Sequence, residues 1–210
     1  ARILELMETM ILNLESIDEG GSDAKLFNRY TYLGDIENIQ AINFNMRDIM
    51  GSFVNRQIAQ WTNIFTYAAQ LVLSNTDRSK RILFAMDELQ KILKKQYLPI
   101  LDIISDWERV FRKFLAGFLK ASQTLEEYDS EDKEIRDKVK PLLSQSTYKF
   151  IFHLGEMDYQ IAKSLLNLTD TEIDQIKVSR IGSCLFKINQ QVFDLDVDMP
   201  EWYRTVKADA

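Results

Sequence analysis

The stretch Arg81-Ile-Leu-Phe-Ala-Met-Asp-Glu88 constrains the fold of this chain most. It is an unbroken apolar run closed by two acids. Runs of this kind suit a strand covered on both faces, as in the middle of an α/β sheet. Gly117–Ser122 and Tyr148–Leu154 read as two further strands, with helical patterns between them. Strands alternating with helices predict an α/β fold with a mostly parallel sheet flanked by helices.

The clearest helix precedes the first of these strands. Val54, Ile58, Trp61, Phe65, Ala68 and Val72 step by four, three, four, three and four, which puts them on one helix face. Asp48 or Ser52 is placed to cap it. Gln40–Met46 reads as a short strand, with Ile42 and Phe44 alternating against Asn43 and Asn45. Leu89–Lys113 is a helical region with a break expected near Pro99, since proline cannot donate within a helix interior. Glu131–Leu143 is a charged helix whose buried side is marked by Ile135, Val139 and Leu142. Asp158–Leu166 and Thr169–Lys177 read as two short helices. Thr169 and Glu172 have the spacing of a capping box for the second. Ile181–Ile188 and Val192–Val197 read as a terminal antiparallel hairpin around Asn189-Gln190-Gln191. At the other end, Ile3, Leu6, Met7, Met10, Ile11 and Leu14 mark an amphipathic helix ended by Gly20 and Gly21. A loop-like segment anchored by Leu26, Phe27, Tyr30 and Tyr32 follows. The expected division is a helical appendage over 1–39 and an α/β domain over 40–210.

Composition narrows the function classes. With 46% hydrophobic residues and only 7 Gly and 3 Pro in 210, the chain has material for a packed core and is no low-complexity or linker sequence. Lys and Arg total 26 against 32 Asp and Glu, a net charge of −6. Affinity for nucleic acid comes largely from phosphate contacts, so this balance disfavours a dedicated nucleic-acid-binding domain. The single cysteine, Cys184, has no internal disulfide partner and reads as small core filler within the apolar run 181–188. No apolar run approaches the roughly 20 residues that span a bilayer, so a soluble, cytoplasmic protein is the expectation. The chain opens without Met inside a helical pattern and reads as a piece of something larger.

The chemistry concentrates at the end of the Arg81–Glu88 run. Nucleotide hydrolases need a carboxylate at the C-terminal tip of a central strand, where it holds magnesium, usually through water. An adjacent acid can polarise the attacking water. Asp87 and Glu88 supply both groups, although a strand emerging into solvent also ends in acids without any chemistry. Ser122 and Gln123 follow the next strand, where a polar residue can meet the terminal phosphate or the lytic water. Upstream, Arg109, Arg112 and Lys113 form a basic cluster, either a solvated helix face or a source of a guanidinium for a neighbouring subunit's phosphate.

These pieces together resemble a known family. Ile42-Asn-Phe-Asn-Met-Arg-Asp48, Arg81–Glu88, Arg112-Lys113, Phe118-Leu-Lys-Ala-Ser-Gln123 and Leu166-Asn-Leu-Thr-Asp-Thr-Glu172 are similar, in order and spacing, to the C-terminal portion of conjugative type IV secretion ATPases. These are the TrbE and TraC class, in the HerA–FtsK branch of P-loop motors, and the resemblance covers nearly the whole chain. It implies a RecA-like fold, with 1–39 as the tail of a helical insertion and 40–210 as the C-terminal part of the ATPase domain. It further implies Asp87 and Glu88 as the Walker B pair, with Asp87 and Ser122 on the nucleotide side and Asp87 holding magnesium through water. Gln123 becomes the sensor glutamine and Arg112 an arginine-finger candidate. The implied cofactors are ATP and Mg. The implied partners are further copies of the chain, in a hexamer or other oligomer, and the secretion machinery. Transient DNA contact and peripheral association with the inner face of the cell membrane are also implied. Two departures stand out: Ser122 replaces an expected threonine, and no Gly-x-x-x-x-Gly-Lys-Ser/Thr occurs in the sequence. The backbone cradle and lysine that grip phosphates are therefore missing here: either a P-loop upstream supplies them, or the chain should not bind ATP tightly.

Other constellations have simpler readings. Asp194, Asp196 and Asp198 alternate along a strand without the glycine and distal glutamate of a calcium loop, and read as an acidic edge. His153, the only histidine, reads as a packed strand residue. Two alternatives to a secretion ATPase remain open: a non-catalytic interaction module that retains the motor fold, and a HerA-like DNA translocase.

Overall fold

The computed structural model describes residues 11, 14–15, 17–27, 39–76 and 78–201. The chain divides into two compact units, Ala1–Phe44 and Asn45–Ala210. In the first unit Ile11, Leu14 and Glu15 are helical and exposed, turns run through Gly20 and Gly21, and Ala24–Phe27 makes one helical turn. Gly20 adopts a φ of 89°, which ends the preceding helical segment at no steric cost. Ile3, Leu6, Met7, Met10, Tyr30 and Tyr32, and the side chain of Leu26, lie outside the described residues. The expected strand over Gln40–Met46 is irregular: it pairs with none of the described strands, and a strand exists only by bonding to a neighbour.

The second unit begins with the long helix α1, Val54–Ser74, whose stripe buries Phe65, Ala68 and Val72. Neither Asp48 nor Ser52 caps it. The Ser52 hydroxyl donates to the Ile49 carbonyl instead, at 2.7 Å. The buried Gln57 secures this end: its amide donates to the carbonyls of Met50 (3.1 Å) and Ser52 (2.7 Å), and its oxygen accepts from the Tyr97 hydroxyl. At the far end the buried Asn75 donates to the carbonyls of Lys80 (2.8 Å) and Phe114 (2.9 Å) and accepts from the Lys80 N–H. One side chain thus ties the end of α1 to the approaches of two strands.

Those strands are β1, Ile82–Met86, and β2, Ala116–Lys120, paired parallel from Ile82↔Ala116 to Met86↔Lys120. The connection runs through 3-10 turns and helix α2, Leu98–Val110. Pro99 does not break this helix. It sits in the first turn, where the missing N–H has no intrahelical partner to lose. Trp107 of α2 is the hub of the core here: it meets Phe65 (5.0 Å) and Phe84 (5.2 Å) edge-on and stacks on Phe111 (4.7 Å). Such pairs add about 0.5–1.5 kcal/mol each beyond their burial.

That core covers one face of the pair only. On the other, Leu83 is 67% and Leu119 50% exposed, with Ala85 and Gly117 beside them. The expectation of a strand covered on both faces is therefore corrected, because α1 and α2 pack on the side of Phe84 and Met86.

The rest of the unit comprises α3 (Lys133–Ser144), β3 (Tyr148–Ile151), α4 (Asp158–Leu166), α5 (Asp170–Val178), β4 (Ser183–Ile188) and β5 (Gln191–Asp196). Asp132 caps α3 by accepting the Glu134 N–H at 2.9 Å, and the Thr169–Glu172 capping box opens α5 as expected. The turn between β4 and β5 bends at Asn189, in the left-handed region with φ 55°. The third strand departs from a parallel sheet. β3 pairs antiparallel with β4, giving a separate three-stranded sheet in the order β3-β4-β5. The β4–β5 hairpin is an adjacent ready-made edge, and β3 bonds to it. His153 lies exposed just beyond β3, with Nδ1 3.3 Å from the Ile176 carbonyl, and is not a packed strand residue. Cys184 is buried in β4, and burial pushes its thiol upward.

Three lysines satisfy carbonyls at helix ends. Lys187 Nζ donates to Asn167 (2.8 Å) and Leu166 (3.3 Å) at the end of α4. Lys149 reaches Ser146, and Lys120 reaches Leu142 (2.6 Å), at the end of α3. A cation at these carbonyls also complements the helix dipole. Burial, together with the like charge of Lys149, pulls the Lys120 ammonium down to about 8, and the same ammonium forms an ion pair with Glu108. Among the described residues no helix is long and apolar enough to cross a membrane.

Asn75→Ala should leave buried groups at the strand approaches unsatisfied and lower stability by about 1–3 kcal/mol. Urea unfolding of the variant checks this; an unchanged midpoint would contradict the tie.

Candidate active site

Because β1 and β2 run parallel, their C-terminal tips share one edge, where open α/β sheets carry ligands. The ladder continues past the last pair: Ala121 N–H donates to the Met86 carbonyl and Leu89 N–H to the Ala121 carbonyl, both at 2.9 Å. Asp87 and Glu88 lie between these bonds. Glu88 adopts left-handed backbone angles, φ 54° and ψ 43°, which turn the chain from β1 into a 3-10 turn over Leu89–Ile92. For a residue with a Cβ this conformation costs roughly 1–2 kcal/mol, and such strain clusters at functional sites.

The bend brings Glu88 against the residues after β2. Gln123 Nε2 donates to Glu88 Oε1 at 2.9 Å, across 35 residues of sequence. Lys91 forms an ion pair with Glu88 Oε2. Asp87 is exposed. One of its oxygens accepts the Glu88 N–H at 2.8 Å, and among the described residues no group donates to the other. An exposed carboxylate with an oxygen to spare suits a hard divalent cation held through water. Asp87, Glu88 and Gln123 are thus brought to one edge.

Ser122 stands beside them, but its hydroxyl lies 2.6 Å from that of the buried Tyr128. Burial raises the Tyr128 phenol, and the Ser122 hydrogen bond works against that rise. Asp158 Oδ1 accepts the Leu125 N–H at 2.9 Å, so the segment after β2 is anchored from below at two points. Sequence reasoning missed Lys91, Tyr128 and Asp158. Lys91 carried a signal, since a residue three positions after Glu88 returns to it in any helical turn; Tyr128 and Asp158 carried none.

Arg112 is elsewhere. It lies in the 3-10 turn Phe111–Phe114 that leads into β2, at the end of the strand pair opposite Glu88 and Gln123. Five residues at about 3.3 Å each separate those ends by roughly 15 Å. Arg109 pairs with Asp106 at 4.0 Å, and Arg112 and Lys113 are exposed.

The Asp194–Asp198 series does not assemble a cation site. Asp196 is engaged by Ser183 (2.5 Å) and Arg180 (2.9 Å), which together hold its carboxyl below the usual range. Among the described residues no group of three or more His, Cys, Asp and Glu could hold a metal. A cleft of about 400 Å³ beside this ion pair is lined by Val178, Arg180, Cys184 and Leu195, and by none of Asp87, Glu88 and Gln123.

No protein-family model matches the chain, and no curated protein matches it. Among solved structures it is similar to VirB4 of Thermoanaerobacter pseudethanolicus, with a TM-score of 0.68 and 22% identity over 77% of this chain. The chain spans 42% of that structure's length. The likeness establishes a shared fold.

The left-handed bend sets an expectation for stability. Glu88→Gly relieves the Cβ clash and Glu88→Ala retains it, so the glycine variant should be more stable by about 1 kcal/mol. Thermal unfolding of the two variants decides it, and a more stable alanine variant would contradict the geometry.

Proposed function

We propose that this chain is the hydrolysis half of a type IV secretion ATPase, with Asp87 and Glu88 as its Walker B pair and Gln123 as its sensor. The observation that carries this reading is the 2.9 Å hydrogen bond from Gln123 to Glu88 across the tips of two parallel strands. A strand that merely ends in solvent-seeking acids has no reason to meet an amide from the next strand tip. The fold shared with VirB4 agrees with the resemblance of the sequence to type IV secretion ATPases.

In this reading Glu88 accepts the proton of the attacking water, and Gln123 orients that carboxylate and senses the terminal phosphate. Asp87 would hold magnesium through water, and Ser122 lies on the nucleotide side. When bound, magnesium would supply positive charge to offset that on the phosphate oxygens. The phosphate cradle and its lysine come from a P-loop half that these residues do not contain. Arg112, facing the opposite end of the strand pair, serves as a finger toward a neighbouring subunit in an oligomeric motor. That motor works with the secretion machinery at the cytoplasmic face of the membrane.

A non-catalytic interaction module is the second reading. It is favoured by the absence of a P-loop sequence and by the apolar face that Leu83 and Leu119 expose.

In the full-length protein, Glu88→Gln should lower ATP turnover by about 10²–10⁴ while nucleotide binding is retained. Steady-state kinetics with a binding titration checks this. Unchanged turnover would remove the catalytic assignment and leave the interaction module.

A further inference from the structure

We infer that Lys91 is a second positioning residue for the Glu88 carboxylate; this rests on the reading of Glu88 as the base. A glutamate side chain has three rotatable bonds, and a base left to swing finds the attacking water only part of the time. Proximity effects are lost with misplacements of about 1 Å. Here both oxygens are held, from two sides. Gln123 donates to Oε1 from beyond β2, and the Lys91 ammonium pairs with Oε2 from beyond β1.

Lys91 returns to Glu88 twice. Its backbone N–H donates to the Glu88 carbonyl at 3.0 Å, closing the 3-10 turn that the left-handed bend begins. Its side chain then folds back over the same residue to the carboxylate. The bend and the ion pair are therefore one local unit, and the bend sets where the carboxylate starts. Each carboxylate oxygen has two acceptor positions. One on each oxygen is engaged, and the second stays open to receive a proton from water. Two-point attachment thus fixes direction without consuming the basic site.

As a stabilising contact this pair has little to do. Lys91 is half exposed, and exposed ion pairs three residues apart contribute little to folding. Its effect is to be read in turnover. A point charge does the holding, so arginine can replace it.

The test measures kcat and KM for ATP in the full-length protein for Lys91→Ala, Lys91→Arg, Glu88→Gln and the Lys91→Ala/Glu88→Gln double variant. Lys91→Ala should lower kcat about tenfold, less than the loss from removing the base itself, with KM unchanged. Lys91→Arg should recover most of the rate. In the Glu88→Gln background Lys91→Ala should change nothing further, because residues acting as a unit are not additive. Unchanged kcat in Lys91→Ala overturns the inference. So does a raised KM with kcat retained, which would make Lys91 a phosphate ligand. An equal loss in both backgrounds also overturns it, since Lys91 would then act independently of Glu88. If Glu88→Gln itself leaves turnover intact, the base assignment fails first, and that result is separate from all the others.

Discussion

The register between β1 and β2 is the constraint on which the site depends. Met86 pairs with Lys120, and the two backbone bonds through Ala121 carry that alignment past the strand ends. A slip of one residue would reverse the faces of the strand. It would turn Phe84 away from Trp107 and move the Glu88 side chain out of reach of Gln123. The aromatic cluster and the Asn75 tie therefore act on the site from a distance: they fix the pairing, and the pairing fixes the tips. Parallel pairing matters equally, since antiparallel strands would put Gln123 and Glu88 at opposite ends.

Charge is organised around the same principle. Lys120, Lys149 and Lys187 are directed at helix-terminal carbonyls, and Lys91 at the Glu88 carboxylate. Lys120 links the end of β2 to α3 through Leu142 and to α2 through Glu108. The strand that leads to Gln123 is thereby held to both neighbouring helices at its tip. Tyr128 and Asp158 hold the segment just after it.

Local features were legible in the sequence, and long-range ones were not. The stripe of α1, the capping box at Thr169, the β4–β5 hairpin and the acids after β1 are each determined within a few residues, and each was found where its pattern placed it. The antiparallel partner of β3 and the exposed face of β1 depend on which distant segment packs there. An apolar strand reads the same whether one face or both are covered. Pro99 was misread because proline marks a helix start as readily as a break. Of the candidate site, Asp87, Glu88 and Gln123 came from the pattern of apolar strand followed by polar tip. The lysine, tyrosine and aspartate that hold them surfaced only with the fold.

The most direct measurement is a structure of the full-length protein trapped with ADP, a metal-fluoride mimic of the transferred phosphoryl group, and magnesium. The proposed function requires the mimic to lie at the β1–β2 edge. A magnesium-bound water should contact Asp87, and a second water, aligned for attack, should sit within hydrogen-bond distance of Glu88. Nucleotide bound at another edge of the fold, or a mimic out of reach of both Glu88 and Gln123, would contradict it.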